Sequence, residues 1–158
     1  MIAVVTASCI DANAEGNVLP DPNLTPGAVN DKTSAGLLCT IKNSNPDQET
    51  GTKVRRVSKK TNLAVYKSYG LTNHEGYCDQ SPRGCEMDHL ISLQLGGSNH
   101  PANLWPQSYG GPWNAVDKDR VETRLAKEVC RGNISLTDAQ NSIATNWINV
   151  YIKYFGTK

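Results

Sequence analysis

The sequence predicts an α+β fold, a β-hairpin followed by two helices with a looser N-terminal half in front. Three observations lead there. Cys85–Leu95 reads as an extended segment stopped by Gly96-Gly97-Ser98-Asn99, a strong turn signal. Asn103–Gln107 reads as the returning strand, kept short or at an edge by Pro106. Two apolar stripes at helical spacing follow: Val121, Leu125 and Val129, then Ala139, Ile143, Trp147, Ile148, Tyr151 and Phe155. A chain of 158 residues has room for one domain, and at this size roughly two-thirds of the unfolded surface is buried. With 38% hydrophobic and 20% charged residues it is not a disordered tail, a collagen or a coiled coil. No apolar run reaches the roughly 18–20 residues of a membrane span. The formal charge of +1 names no partner, so any contact with nucleic acid must come through a local patch.

In chain order, residues 2–10 (IAVVTASCI) are an apolar run closed by Ala12-Asn13-Ala14, the pattern of a secretory signal peptide without its positively charged start. Residues 1–14 are therefore expected to be removed, with a first β-strand as the alternative, and 15–158 to form the domain. Residues 15–50 are rich in Asn, Asp, Pro, Thr and Gly and read as a loose lead-in with a strand or turn at Leu37–Ile41. The run KVRRVSKK (53–60) has five basic residues in eight, with Val54 and Val57 as candidate strand or extended positions. Thr61–Tyr69 is expected to be a short helix stopped by Gly70, and 71–84 a loop containing His74. Asn114–Val129 and a segment opening near Ser135, with Asp138 three residues on, are the two later helices.

Removing the leader discards Cys9 and leaves Cys39, Cys78, Cys85 and Cys130, an even set suited to two disulfides in an oxidising compartment, secreted or periplasmic. Three pairings are possible. Cys78 and Cys85 flank the short loop DQSPRG, which suits a local bridge and leaves Cys39 to Cys130. A zinc site completed by His74 or His100 is the alternative, but no Cys-x-x-Cys pair exists.

The order strand, Gly-rich turn, strand, helix carries Asp88 and His89 on the first strand, Asn103 opening the second and Asn114 at the helix start. The run CEMDHLISLQLGGSNHPANLWPQ (85–107) resembles the HNH (ββα-metal) endonucleases, and with its flanks the small secreted or periplasmic bacterial members. Two departures stand out: Ser92 where many members have Pro, and Pro106–Pro112 in place of the Cys pairs of zinc-stabilised relatives. The resemblance implies a ββα-metal core in which Asp88 binds a divalent metal, Mg²⁺ or Mn²⁺, and His89 is the general base that activates water. It places Asn103 as the residue holding the loop between the strands and Asn114 as a further ligand. Asn114 is equally suited to be an N-cap, since Asp117 follows three residues later. Glu86 shares the face of Asp88 by alternation and either supports the metal or is solvated. Neighbours on a regular strand point to opposite faces, so Asp88 and His89 can serve one site only where the strand bends or ends.

Beside such a motif, Lys53, Arg55, Arg56, Lys59, Lys60 and the helical Lys118 are expected to contact the phosphate backbone, which fixes position without reading sequence. The expected activity is thus phosphodiester hydrolysis in nucleic acid, DNA first, with low sequence specificity and no membrane or obligatory protein partner. A catalytically silent nucleic-acid-binding domain, or a specific nuclease targeted by a partner, are the alternatives.

Overall fold

A computed structural model describes residues 18–40, 55–71 and 84–158. Its elements are helix α1 (Ala35–Thr40), helix α2 (Lys59–Ser68), strand β1 (Cys85–His89), strand β2 (Leu104–Ser108), helix α3 (Ala115–Cys130) and helix α4 (Leu136–Phe155). This is a mixture of helices with one antiparallel two-stranded hairpin, compatible with the α+β expectation. In the hairpin Cys85 pairs with Ser108, Met87 with Pro106, Asp88 with Trp105 and His89 with Leu104. Pro106 fits because a two-stranded sheet has only edges.

Helices cover the hairpin. Val65 and Tyr66 of α2 pack with Met87 and Leu104. The larger core lies between α3 and α4: Val121, Leu125 and Val129 meet Ala139, Ile143, Trp147, Val150 and Tyr151, with Ile91 and Leu95 from the hairpin loop. These are the stripes expected from periodicity, except that Val150 is buried while Ile148 and Phe155 pack at the margin. Within α4, Asn146 leaves helical geometry at φ −166° and ψ 95°, and its side chain accepts from Asn149 N at 3.0 Å.

Three local expectations are corrected. Leu37–Ile41 is not a strand or turn over its described part: α1 forms there, with Ser34 Oγ accepting from Leu37 N at 3.3 Å and Leu38 buried. The extended segment from Cys85 ends at His89 and does not reach Leu95, because the chain bends and makes a 3-10 turn at Leu93–Leu95, closed by Gly96 at φ +76°. The helix expected from Thr61 starts two residues earlier, since Ser58 caps α2 and Lys59 and Lys60 form its first turn. The helix otherwise stops as expected, at Tyr69 and Gly70.

Cys39 and Cys130 form a disulfide joining α1 to the end of α3, with Cα atoms 5.5 Å apart. Cys85 is also disulfide-bonded; Cys78, its expected partner, lies outside the described residues, as do the leader, Lys53 and His74. No described helix is long and apolar enough to cross a membrane.

Candidate functional site

The site is built where β1 ends. Asn103, fully buried at the mouth of β2, accepts from Ile91 N (2.9 Å) and Ala28 N (3.3 Å) and donates to Ile91 O and Ser98 O, both at 2.9 Å. One amide thus uses its whole hydrogen-bonding capacity to hold the 91–98 loop and the lead-in segment together. Gly97 allows this approach: a Cβ there would lie 1.7 Å from Ile91 O and 2.9 Å from Asn103 Nδ2.

Asp88 and His89 are the last two residues of β1, both buried, and their side chains take different partners. His89 Nε2 lies 2.9 Å from Asn99 Oδ1, and the same oxygen accepts from Arg56 N at 3.2 Å. An amide oxygen only accepts, so Nε2 donates, and the neutral ring keeps its lone pair on Nδ1. Burial pushes the imidazole pKa below its ordinary value, opposed by the Asn99 hydrogen bond and reinforced by the Arg55 guanidinium. The ring is therefore neutral at pH 7, as a general base must be. Asn99 was visible in the sequence only as part of a turn signal; its contact with His89 was not.

Asp88 faces α3 and meets Lys118. The Lys118 ammonium donates to Asp88 Oδ2 at 2.7 Å, to Glu122 Oε1 at 2.5 Å and to His89 O at 2.7 Å. Its side chain is 1% exposed. The expectation that Lys118 faces nucleic acid is thus corrected: its place among Val121 and Leu125 on the apolar stripe of α3 carries it into the interior. Burial opposes its charge, but Asp88 and Glu122 outweigh that and raise its pKa. One ammonium serves two carboxylates, so a negative charge is left in excess. Burial then pushes Glu122 up to about 7, against the lowering effect of Lys118.

Asn114 is in the first turn's cap. Its Oδ1 accepts from Val116 N at 3.1 Å and Asp117 N at 3.4 Å, its Nδ2 donates to Gly111 O at 3.2 Å, and Asp117 Oδ2 accepts from Asn114 N at 3.1 Å. This is a complete capping box. The residue of α3 that meets Asp88 is Lys118, one turn further on.

The remaining groups lie around this centre. Glu86 accepts from Tyr109 Oη at 2.5 Å; burial raises its pKa, against that hydrogen bond. Asp119 is raised by burial and by Asp88. Gln107, opposite Glu86 in the hairpin, is 2% exposed, and its amide has no hydrogen-bond partner among the described residues. Arg55 Nη1 donates to Met87 O at 2.5 Å, which anchors an exposed guanidinium beside β1. Arg56, Lys59 and Lys60 are exposed. A second group of cations was not read from the sequence: Arg120, Arg124 and Lys127 on α3 and Arg131 at its C-cap, spaced by four, three and four residues, line a surface depression of about 510 Å³ with Asp119 and Phe155, and Arg124 and Arg131 both pair with Glu128. Helical spacing alone would have found it. His100 caps the turn at Pro101–Asn103, and Trp113 packs edge-on against Trp147 and Tyr151.

A divalent ion is the cofactor the resemblance implies, and the donors present do not fit one as they stand. Asp88 Oδ2 and Glu122 Oε1 both bond an ammonium, and Asn114 has its side chain committed to the helix cap. Among the described residues no three His, Cys, Asp or Glu side chains are grouped so as to hold a metal ion. No protein-family model, no curated protein and no solved structure matches this chain.

Proposed function

We propose that this chain hydrolyses phosphodiester bonds in nucleic acid, DNA first, with little dependence on sequence, using His89 as general base. The observation that carries the reading is the state of His89. A neutral imidazole is fixed through Nε2 by Asn99 and leaves Nδ1 to take a proton. Water attacks phosphorus as Nδ1 accepts its proton; the bond to the leaving sugar oxygen breaks, and that oxygen is protonated from solvent. Arg55, held by its bond to Met87 O, offers phosphate the planar fork that suits it.

The partner follows from charge. Lys59 and Lys60 stand in the first turn of α2, which contains no acidic residue. Cations there oppose the helix dipole, so an anionic partner relieves what the free protein bears. Cations also line the depression on α3, and nothing among the described elements resembles a base-reading helix. The Cys39–Cys130 bridge fits an oxidising compartment and hence a secreted or periplasmic protein.

A second reading, a binding domain without catalysis, is favoured by one observation: Asp88 is already bonded to Lys118. Plasmid incubation with Mg²⁺ and with EDTA separates the two. The parent should nick DNA, and His89→Ala should bind as well but cleave at least about a hundredfold more slowly. A parent that binds DNA without cutting it under either condition leaves the binding reading. Parental cleavage by His89→Ala rejects His89 as the base.

A further inference from the structure

We propose that Lys118 is the resident cation of this site: its ammonium holds the Asp88–Glu122 pair in the position a divalent ion would need, so the intact protein does not bind Mg²⁺ or Mn²⁺ there. This rests on the packing of one side chain and stands whether or not the chain cuts nucleic acid.

The stoichiometry is complete. An ammonium has three N–H donors, and Lys118 gives one each to Asp88 Oδ2, Glu122 Oε1 and His89 O, at 2.7, 2.5 and 2.7 Å. None is left to exchange with solvent, and the side chain is 1% exposed. The acceptors come from two elements. Asp88 and the His89 carbonyl belong to the end of β1, Glu122 to the next turn of α3. Lys118 therefore ties the strand end to the helix, which is the structural task a shared metal would perform.

An ion on Asp88 Oδ2 would sit roughly 2.1 Å from that oxygen, hence no more than about 4.8 Å from Nζ. Two positive ions so close in a buried site repel strongly. The ammonium cannot withdraw without leaving two carboxylates buried and unpaired. Metal and Lys118 are thus alternatives, and the chain has the lysine. Lys118 acts here as a positioning residue: with every donor used, it reaches substrate only through Asp88 and the His89 backbone.

The experiment is a Mn²⁺ titration followed by electron paramagnetic resonance, with thermal melts, on the parent, Lys118→Ala and Lys118→Ala/Asp88→Asn. The parent should show no stoichiometric Mn²⁺ site and the same Tm in EDTA and in Mn²⁺. Lys118→Ala should melt lower and recover with Mn²⁺, binding it at least about a hundredfold more tightly than the parent once the repulsion is gone. The double variant should lose that binding. Should Lys118→Ala fail to fold in EDTA, Lys118→Ala/Glu122→Gln, which buries one charge fewer, carries the same comparison. One tight Mn²⁺ on the parent that Asp88→Asn abolishes overturns the proposal, as does a folded Lys118→Ala that Mn²⁺ neither binds nor stabilises. A parent with no nuclease activity would reject the function proposed above and leave these readings intact.

Discussion

Replacing both cysteines of the Cys39–Cys130 bridge by serine tests how much of the stability lies in the unfolded state. The bridge spans 91 residues of sequence. In the chain-entropy model, closing a loop of that size removes unfolded-state freedom equivalent to about 4.6 kcal/mol. Both cysteines lie in exposed positions, so serine adds little desolvation cost in the native state. The helix that Cys39 sits in is six residues long with only Leu38 buried, too short to hold itself in place. For a chain of this length each kcal/mol moves Tm by about 2–4 °C, so Cys39→Ser/Cys130→Ser should melt roughly 9–18 °C below the parent. Circular dichroism melts without reductant are the assay, because reductant would also open the bridge at Cys85. A fall of less than about 3 °C, with the native spectrum retained, would refute the loop-entropy reasoning.

Three further outcomes concern Glu122, Gly97 and Gly111. Glu122 has its native pKa raised from 4.5 to about 7, so between those pH values the native state holds a proton the unfolded chain has released, and stability falls as pH rises through the window. Glu122→Gln removes this loss; urea melts should show the difference between the two proteins changing by up to about 3 kcal/mol from pH 4.5 to pH 7, and a constant difference would reject the raised pKa. Gly97→Ala forces a Cβ to within 1.7 Å of Ile91 O and should cost at least about 4 kcal/mol. Gly111→Ala, at φ +80° with nothing within 4 Å, should cost only about 1–2 kcal/mol in the same denaturant melts.

The C-terminal half was legible because local signals and tertiary packing agree there. Asn114 and Ser135 cap the two helices, Gly132 ends the first, and the periodic apolar residues form the core. The hairpin was legible through its glycines, which the approach of Ile91 and Thr33 requires. What failed did so for a physical reason in each case. Helix α1 is too short to show periodicity and is held by a bridge to a residue 91 positions away. Lys118 looked like a surface cation by type, although its position on the stripe already placed it indoors, and the i,i+4 spacing to Glu122 named its partner. Asn114 satisfied a cap and a ligand pattern equally, and only coordinates separate them. The state of His89 depends on Asn99 and on the backbone of Arg56, a contact across 43 residues that no local pattern encodes.

The break at Asn146 makes α4 two helices in series. A helix is cooperative because each turn is propped by the one before it, and one residue outside helical geometry interrupts that relay. Fraying from the Phe155 end therefore stops at Asn146, whose side chain starts the second segment as a cap would. Ala139 and Ile143 lie before the break, and Trp147, Val150 and Tyr151 after it. The indole of Trp147 donates to Val18 O at 3.0 Å, so the second segment is latched to the first described residue of the lead-in. The lead-in is thereby tied to the core between α3 and α4, in which Trp147, Val150 and Tyr151 of the second segment are buried.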